Sequence, residues 1–217
     1  MKVINLGETN SVLNHFIAEI RDKSIQKDSL RFRRNLERIG EIFAYEISKT
    51  LSYKSTEVET PLGIADCNLI EDPLVLGTIL RAGLPLHQGL LNYFDKAENS
   101  FIAAYRKYGK DNKFNIQLEY ASTPVIERKT LIIADTMLAT GASITLAYDR
   151  LIESGEPRHV HIVCPIACTY GIDYLSKNLP HKKVTLWVGT IDEVLTNKSY
   201  IVPGVGDAGD LAYGSKM

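Results

Sequence analysis

Leu131-Ile-Ile-Ala-Asp135-Thr-Met-Leu-Ala-Thr140-Gly141-Ala-Ser143 is the stretch on which the fold turns. An apolar run of strand length, beginning at Thr130, ends in a carboxylate, and a hydroxyl, a glycine and a second hydroxyl follow where a helix can start. Outward from it, a helix from about Ser143 to Ser154 is closed by Gly155, and His159-Val-His-Ile-Val-Cys-Pro-Ile-Ala167 reads as the next strand. Upstream, Leu74-Val-Leu-Gly-Thr-Ile-Leu80 is too short for a buried helix; Arg81-Ala-Gly83 breaks it, and a Leu-rich helix runs to about Phe94. Downstream, a helix near Thr169 to Asn178 leads into the strand Lys183-Val-Thr-Leu-Trp-Val-Gly189. Strands and helices alternating at this length predict an α/β fold with a mostly parallel central sheet, flanking helices and right-handed crossovers.

Two decorations are legible. Phe101-Ile-Ala-Ala-Tyr-Arg106, turn residues from Gly109 to Lys113, and the alternation of Phe114, Ile116, Leu118 and Tyr120 predict a projecting β-hairpin over about 101–122. Before the sheet, Leu13, Phe16, Ile17 and Ile20 recur at helical spacing after an N-cap expected at Asn10. A longer helix from about Asp28 carries the stripe Leu36, Ile39, Phe43, Ile47 and Leu51, giving N-terminal helices over about 10–51. Its opposite face, Arg33, Arg34, Glu37, Arg38 and Glu41, reads most simply as solvated, with a partner surface as the alternative. The 217 residues match one sizeable domain, 1–217, rather than two of the typical ~150.

Twenty-five Lys and Arg against 26 Asp and Glu leave a net charge of −1, so no global positive field recruits nucleic acid or an anionic membrane. The longest apolar runs fall far short of a membrane span, and the start has no secretory h-region. Cys67, Cys164 and Cys168 cannot complete a zinc site and read as reduced thiols of a cytoplasmic protein.

In open parallel sheets ligands sit at the carboxyl ends of strands, so the loops at Arg81, Asp135 and Thr190 form one candidate site. Backbone N–H groups at the helix start, with the Thr140 and Ser143 hydroxyls, make a phosphate cradle, and Asp135 can accept from sugar hydroxyls. A strand followed by an N-capped helix, with Asp135 merely ending the strand, is the alternative that spacing leaves open. No Gly-Lys-Thr or Gly-Lys-Ser follows, so this is not a Walker A loop. Gly204-Val-Gly206-Asp-Ala-Gly209 spells a dinucleotide motif, but too few residues follow for the helix, second strand and acidic residue it requires. His159 and His161 share a strand face without a third metal ligand of suitable spacing, and Glu71-Asp72 before Pro73 reads as turn chemistry.

The Asp135 loop resembles the phosphoribosyl-diphosphate (PRPP) signature of type I phosphoribosyltransferases in its uracil phosphoribosyltransferase form. Ile79-Leu-Arg-Ala-Gly83 resembles that family's pyrophosphate loop, Tyr105-Arg106 its second phosphate-side arginine, and Tyr200-Ile-Val-Pro-Gly-Val-Gly-Asp-Ala-Gly-Asp210 its uracil-binding hood, about 190–217. The resemblance implies that uracil N1 displaces pyrophosphate from C1 of PRPP, giving uridine monophosphate through an oxocarbenium-like transition state. It implies Arg81 and Arg106 on the diphosphate and Asp135 on the ribose. It places the segment Thr136, Met137, Leu138, Ala139, Thr140, Gly141, Ala142 and Ser143 on the 5′-phosphate. Ile201, Gly206, Asp207 and Ala208 fall on the base, with Asp207 reaching both substrates. Mg2+, held mainly by PRPP and water, would complete the charge balance, with no metal ligand set expected from the protein.

The resemblance further implies a homo-oligomer, a dimer or higher, with the N-terminal helices as contact surface, and brings GTP as a candidate allosteric activator; the residues spell out neither stoichiometry nor GTP activation. Three departures stand out: Lys107 where the family usually has an acid, Ala142 where it usually has a second glycine, and Leu211 where a basic residue usually follows the hood motif. They motivate a non-catalytic PRPP or nucleotide sensor as one alternative. A pyrimidine-operon regulator or a phosphoribosyltransferase for another base are the others; the regulator lacks the Gly-Asp-Ala-Gly-Asp hood.

Overall fold

In a computed structural model of the chain, residues 1–108 and 114–215 are described, with side chains described outside 104–118. In chain order the elements are β1 (Lys2–Asn5), α1 (Leu13–Arg21), α2 (Ser29–Ser48), β2 (Tyr53–Thr60), β3 (Gly63–Ile70), β4 (Leu74–Leu80) and α3 (Leu84–Tyr93). There follow β5 (Glu98–Tyr108), β6 (Phe114–Ser122), β7 (Thr130–Ala134), β8 (Met137–Leu138), α4 (Ala142–Ile152), β9 (His159–Cys168) and α5 (Thr169–Asn178). The chain ends in β10 (Val184–Asp192), β11 (Val194–Leu195), β12 (Ile201–Val202) and α6 (Ala208–Tyr213).

The main sheet runs β1-β10-β9-β7-β4-β5-β6, with β8 added to β9, and every pairing is parallel except β5 with β6. This is the expected α/β architecture. Strands β4, β7, β9 and β10 are apolar almost throughout because both faces are covered. Leu76, Ile132, Val163 and Trp187 pack with the α1–α2 stripe, while Ile133, Ile162, Val188 and Leu186 join α4 and α5 on the other side. Among the described residues no helix is long and apolar enough to cross a membrane.

Helix α2 begins where expected: the Asp28 carboxylate accepts from the Arg31 N–H at 3.1 Å, and Leu36, Ile39, Phe43, Ile47 and Leu51 are buried. Helix α1 differs from expectation. It begins at Leu13, whose N–H is accepted by the Ser11 hydroxyl, so Ser11 rather than Asn10 serves its first turn. The charged face of α2 is also less solvated than expected, because neighbouring elements use it. Arg33 donates to the Ala212 carbonyl and lies over the Tyr213 ring, Arg38 lies over Phe16, and Glu37 and Glu41 accept from Asn92 of α3.

Three features lie outside the sequence expectation. β1 is a short edge strand with little pattern to read. β2 and β3 pair with each other alone and are exposed on both faces, so no one-sided apolar alternation marks them. Asp72 does more than shape a turn: it is buried, accepts from the Ser52 N–H at 2.8 Å and pairs with Arg158.

Helices α2 and α3 touch through glycines. A Cβ on Gly89 would collide with the Glu37 carbonyl and one on Gly40 with the Leu86 carbonyl. Gly89→Ala gains about 1 kcal/mol of helix propensity, but both obstacles are backbone, so overpacking wins. A net loss of about 1–3 kcal/mol is expected, read as a lower urea midpoint at unchanged m. Glu19 joins α1 to α2 by accepting from Arg31 twice and from the fully buried Asn35, and these bonds hold its carboxyl down at about 2 against an ordinary 4.5. A carboxyl depressed on folding stabilises above its unfolded pKa and loses that contribution as pH falls toward its folded one. Glu19→Gln therefore lowers the thermal midpoint at pH 6, and the deficit shrinks as pH is taken from 4.5 down toward 2; a deficit independent of pH would contradict this origin.

Candidate active site

At the carboxyl end of β7 the chain behaves as the Asp135 stretch demands. Asp135 is half-buried and its N–H reaches the Val163 carbonyl at 3.1 Å, so the carboxylate stands at the junction of β7 and β9. The next residues are not a free loop. Met137 and Leu138 form β8 against Ile166 and Ala167, and the Thr136 and Leu138 side chains are buried, leaving their backbone as the part a ligand can meet. Gly141 then turns the chain into α4 at φ +84°, and a Cβ there would press 2.8 Å from the Tyr174 ring. Glycine is required on both counts. Thr140 Oγ1 accepts from the Ala142 N–H at 3.4 Å, and Ser143 is the second residue of α4, so the two hydroxyl-bearing residues flank the helix start.

The Arg81 turn packs against this loop. A Cβ on Gly83 would lie 3.0 Å from the Ala134 carbonyl and 2.5 Å from Thr78 Oγ1, so only glycine lets the end of β4 approach the end of β7 so closely. The Leu80-Arg81 peptide is cis. One Arg81 Nη donates to Asp210 at 3.1 Å and to the Gly214 carbonyl at 3.2 Å, and its Nε is buried without a partner. The structure thus brings Arg81 to α6, three residues past Asp207. Arg106 lies on β5 opposite Ile116; its side chain, that of Lys107, and the turn with Lys110 fall outside the described residues.

The C-terminal segment is ordered by its own small elements. β11 and β12 pair, a cis Val202-Pro203 bond and Gly204 at φ +51° turn the chain, and Asp207 caps α6 by accepting from the Asp210 N–H at 3.0 Å. A helix does follow the glycine motif, against expectation, but it has six residues and ends at Tyr213, with no strand after it among the described residues. Gly206 is exposed at φ +86° with open space where a side chain would be, so its backbone is reachable by a flat ligand. Ile201 and Ala208 are packed into the core and can offer only backbone.

Sequence reasoning passed over the pair that fastens this segment. Arg21, ending α1, grips Asp192, ending β10, through both guanidinium nitrogens at 3.0 and 2.8 Å. Asp192 also accepts from the Gly204 N–H at 3.0 Å, while Arg21 donates to the Gly204 carbonyl at 3.3 Å. No local signal in the sequence marks the pair, because the two partners lie 171 positions apart and the strand reads as ending at Gly189. His159 and His161 do not form a metal pair. Their rings are 4.7 Å apart, His161 Nδ1 accepts from Trp187, and His159 bonds Thr185.

The family model for uracil phosphoribosyltransferase matches residues 8–215. A uracil phosphoribosyltransferase of Porphyromonas gingivalis is 53% identical over 217 residues, covering both chains fully. One of Pyrococcus furiosus is 35% identical over 213 residues, covering 97% of this chain and 89% of its own. A solved Aquifex aeolicus protein superposes with a TM-score of 0.87 at 28% identity, covering 99% of each chain. A Staphylococcus aureus hypoxanthine phosphoribosyltransferase, 15% identical with a TM-score of 0.50 over about three quarters of each chain (75% and 76%), shares the fold alone. A family model that matches the chain almost end to end and a relative 53% identical over all 217 residues show that the chain belongs to the uracil phosphoribosyltransferase family.

Proposed function

We propose that the chain transfers the phosphoribosyl group of PRPP to uracil N1, giving uridine monophosphate and pyrophosphate, with residues 1–217 acting as one phosphoribosyltransferase domain. The observation that supports this reading is the meeting of the Arg81 turn with both the end of β7 at Asp135 and the α6 end of the hood, at the carboxyl ends of the parallel strands.

The helix-start N–H groups from Gly141 to Ser143, with Thr140, hold the 5′-phosphate, and Asp135 accepts from the ribose hydroxyls. Arg81, with Arg106, steadies the diphosphate as negative charge gathers on it. Thr136, Met137, Leu138 and Ala139 contribute backbone. Gly206 and its neighbours Ile201, Asp207 and Ala208 read the base edge through N–H and C=O groups, which a purine or cytosine would leave unpaired. Acceptance of the N1 proton is assigned to Asp207, the carboxylate of the Gly-Asp-Ala-Gly-Asp motif. The carboxylates of Asp135 and Asp207 are hard oxygen donors of the kind that suits Mg2+, which would be held mainly by PRPP oxygens and water. When bound, Mg2+ supplies electrostatic stabilisation of the leaving diphosphate.

The same reading makes the protein a cytoplasmic homo-oligomer. Its three cysteines are free, and the β2–β3 hairpin projects with Leu62 fully exposed and Ile64 73% exposed, a two-stranded piece that gains little stability unless another chain covers it. Contact through this hairpin extends the expectation of contact through the N-terminal helices. Activation by GTP rests on the family resemblance alone.

Incubation with PRPP, Mg2+ and one of uracil, orotate, cytosine, hypoxanthine or xanthine is expected to give nucleotide with uracil only; PRPP binding without turnover on any base would favour the sensor. Asp207→Ala should abolish most turnover, and a variant at wild-type rate removes Asp207 from the chemistry. Asp192→Asn weakens the grip on Gly204 without touching the phosphate loop. It is expected to raise KM for uracil about tenfold while KM for PRPP stays within about twofold; equal rises in both would contradict a role confined to the hood.

A further inference from the structure

We propose that the opposite end of the sheet carries a second ligand site, a pocket of about 220 Å3 built for a small oxyanion, meaning a phosphate or carboxylate group. It lies between Thr50 and Leu51, just past α2, and the starts of four strands, at Lys2 and His159 and Thr130, the first residues of β1, β9 and β7, and at Thr185, the second residue of β10. The loops of the active site leave from the other ends of β7 and β10, so the two sites do not share residues.

The lining is short of acceptors and rich in donors. Trp187 Nε1–H, which can only donate, gives its proton to His161 Nδ1 at 3.0 Å, and the ring's own proton therefore resides on Nε2. His161 is 4% exposed, and burial holds its pKa at about 3, so it stays a neutral donor at any working pH. Nothing among the described residues accepts from Nε2–H, yet this nitrogen is not sealed from the pocket. The Thr130 hydroxyl, on a residue 2% exposed, is likewise open to the pocket and unbonded. Asp72, the one carboxylate in the lining, is already engaged by the Ser52 N–H and by Arg158. What remains is the Lys2 ammonium and the outward part of the Arg158 guanidinium. Two positive groups and two buried donors without partners complement an anion and repel a cation. A metal ion is also excluded by the imidazole itself, with one nitrogen accepting and the other protonated.

Trp187 is the chain's single tryptophan, so its indole N–H resonance and its fluorescence report on this pocket specifically. The experiment titrates the full-length protein with inorganic phosphate in one arm and acetate in the other, at ionic strength fixed with chloride. A saturable shift of the indole N–H is expected, weakened about tenfold by Lys2→Ala or Thr130→Val and untouched by Thr140→Ala at the active site. A response to one anion or to both assigns the ligand group and supports the site. No shift in either arm means that the pocket holds only water, and a shift lost in Thr140→Ala but kept in Lys2→Ala places the anion in the active site; either result overturns the proposal.

Discussion

Both faces of the central sheet are buried, and that constraint decides where everything polar can go. One face is sealed by α1 and α2, the other by α4 and α5, and the strands between are apolar at nearly every position. Buried hydrogen-bonding groups without partners are costly, so a sheet of this kind can bind polar ligands only where its strands begin or end. The carboxyl ends hold Asp135, Asp192 and the Arg81 turn. The amino ends hold Lys2, Thr130, His159 and Thr185. β9 spans the distance between them, starting at His159 beside one pocket and ending beside the hood's attachment on β10.

The pairs Arg21–Asp192 and Arg81–Asp210 both connect the hood to the rest of the protein, and they differ in kind. Arg21 with Asp192 is a two-pronged pair whose carboxylate is 7% exposed, and it holds the N–H and the carbonyl of Gly204 together. A buried pair of this sort is weak evidence of added stability because desolvation offsets its attraction, but it fixes geometry well. Arg81 with Asp210 is about 38% and 37% exposed and much more easily exchanged for another partner. The first pair therefore anchors the turn at Gly204, while the second can be exchanged for another partner without a large energetic penalty.

How much was legible in the sequence follows from where one-sided patterns exist. The strands β4, β7, β9 and β10 and helices α2, α3 and α5 were read within a few residues because continuous apolar runs or 3.6-residue stripes marked them. The β2–β3 hairpin escaped because a ribbon exposed on both faces carries no such mark. The cradle was legible because a strand, a carboxylate and a glycine turn are local in sequence. The Arg21–Asp192 pair was not, since its partners lie 171 positions apart and each alone looks like an ordinary surface charge. His159 and His161 were visible as a pair, but their partners Thr185 and Trp187 come from the neighbouring strand, and those bonds turn a metal-like motif into a set of donors.

The departures from the family pattern can be weighed against the geometry. A second glycine at position 142 would matter if the loop needed another left-handed residue, but Gly141 alone takes positive φ, and Ala142 is already the first residue of α4. Leu211 replaces a basic residue, yet it packs against the buried cluster that also contains Ile201, Val205 and Ala208, so it helps to hold α6 against α2. Neither change removes a donor or acceptor from the cradle, the Arg81 turn or the exposed backbone at Gly206. The chain keeps all three, and two of its departures are accommodated by packing and backbone geometry.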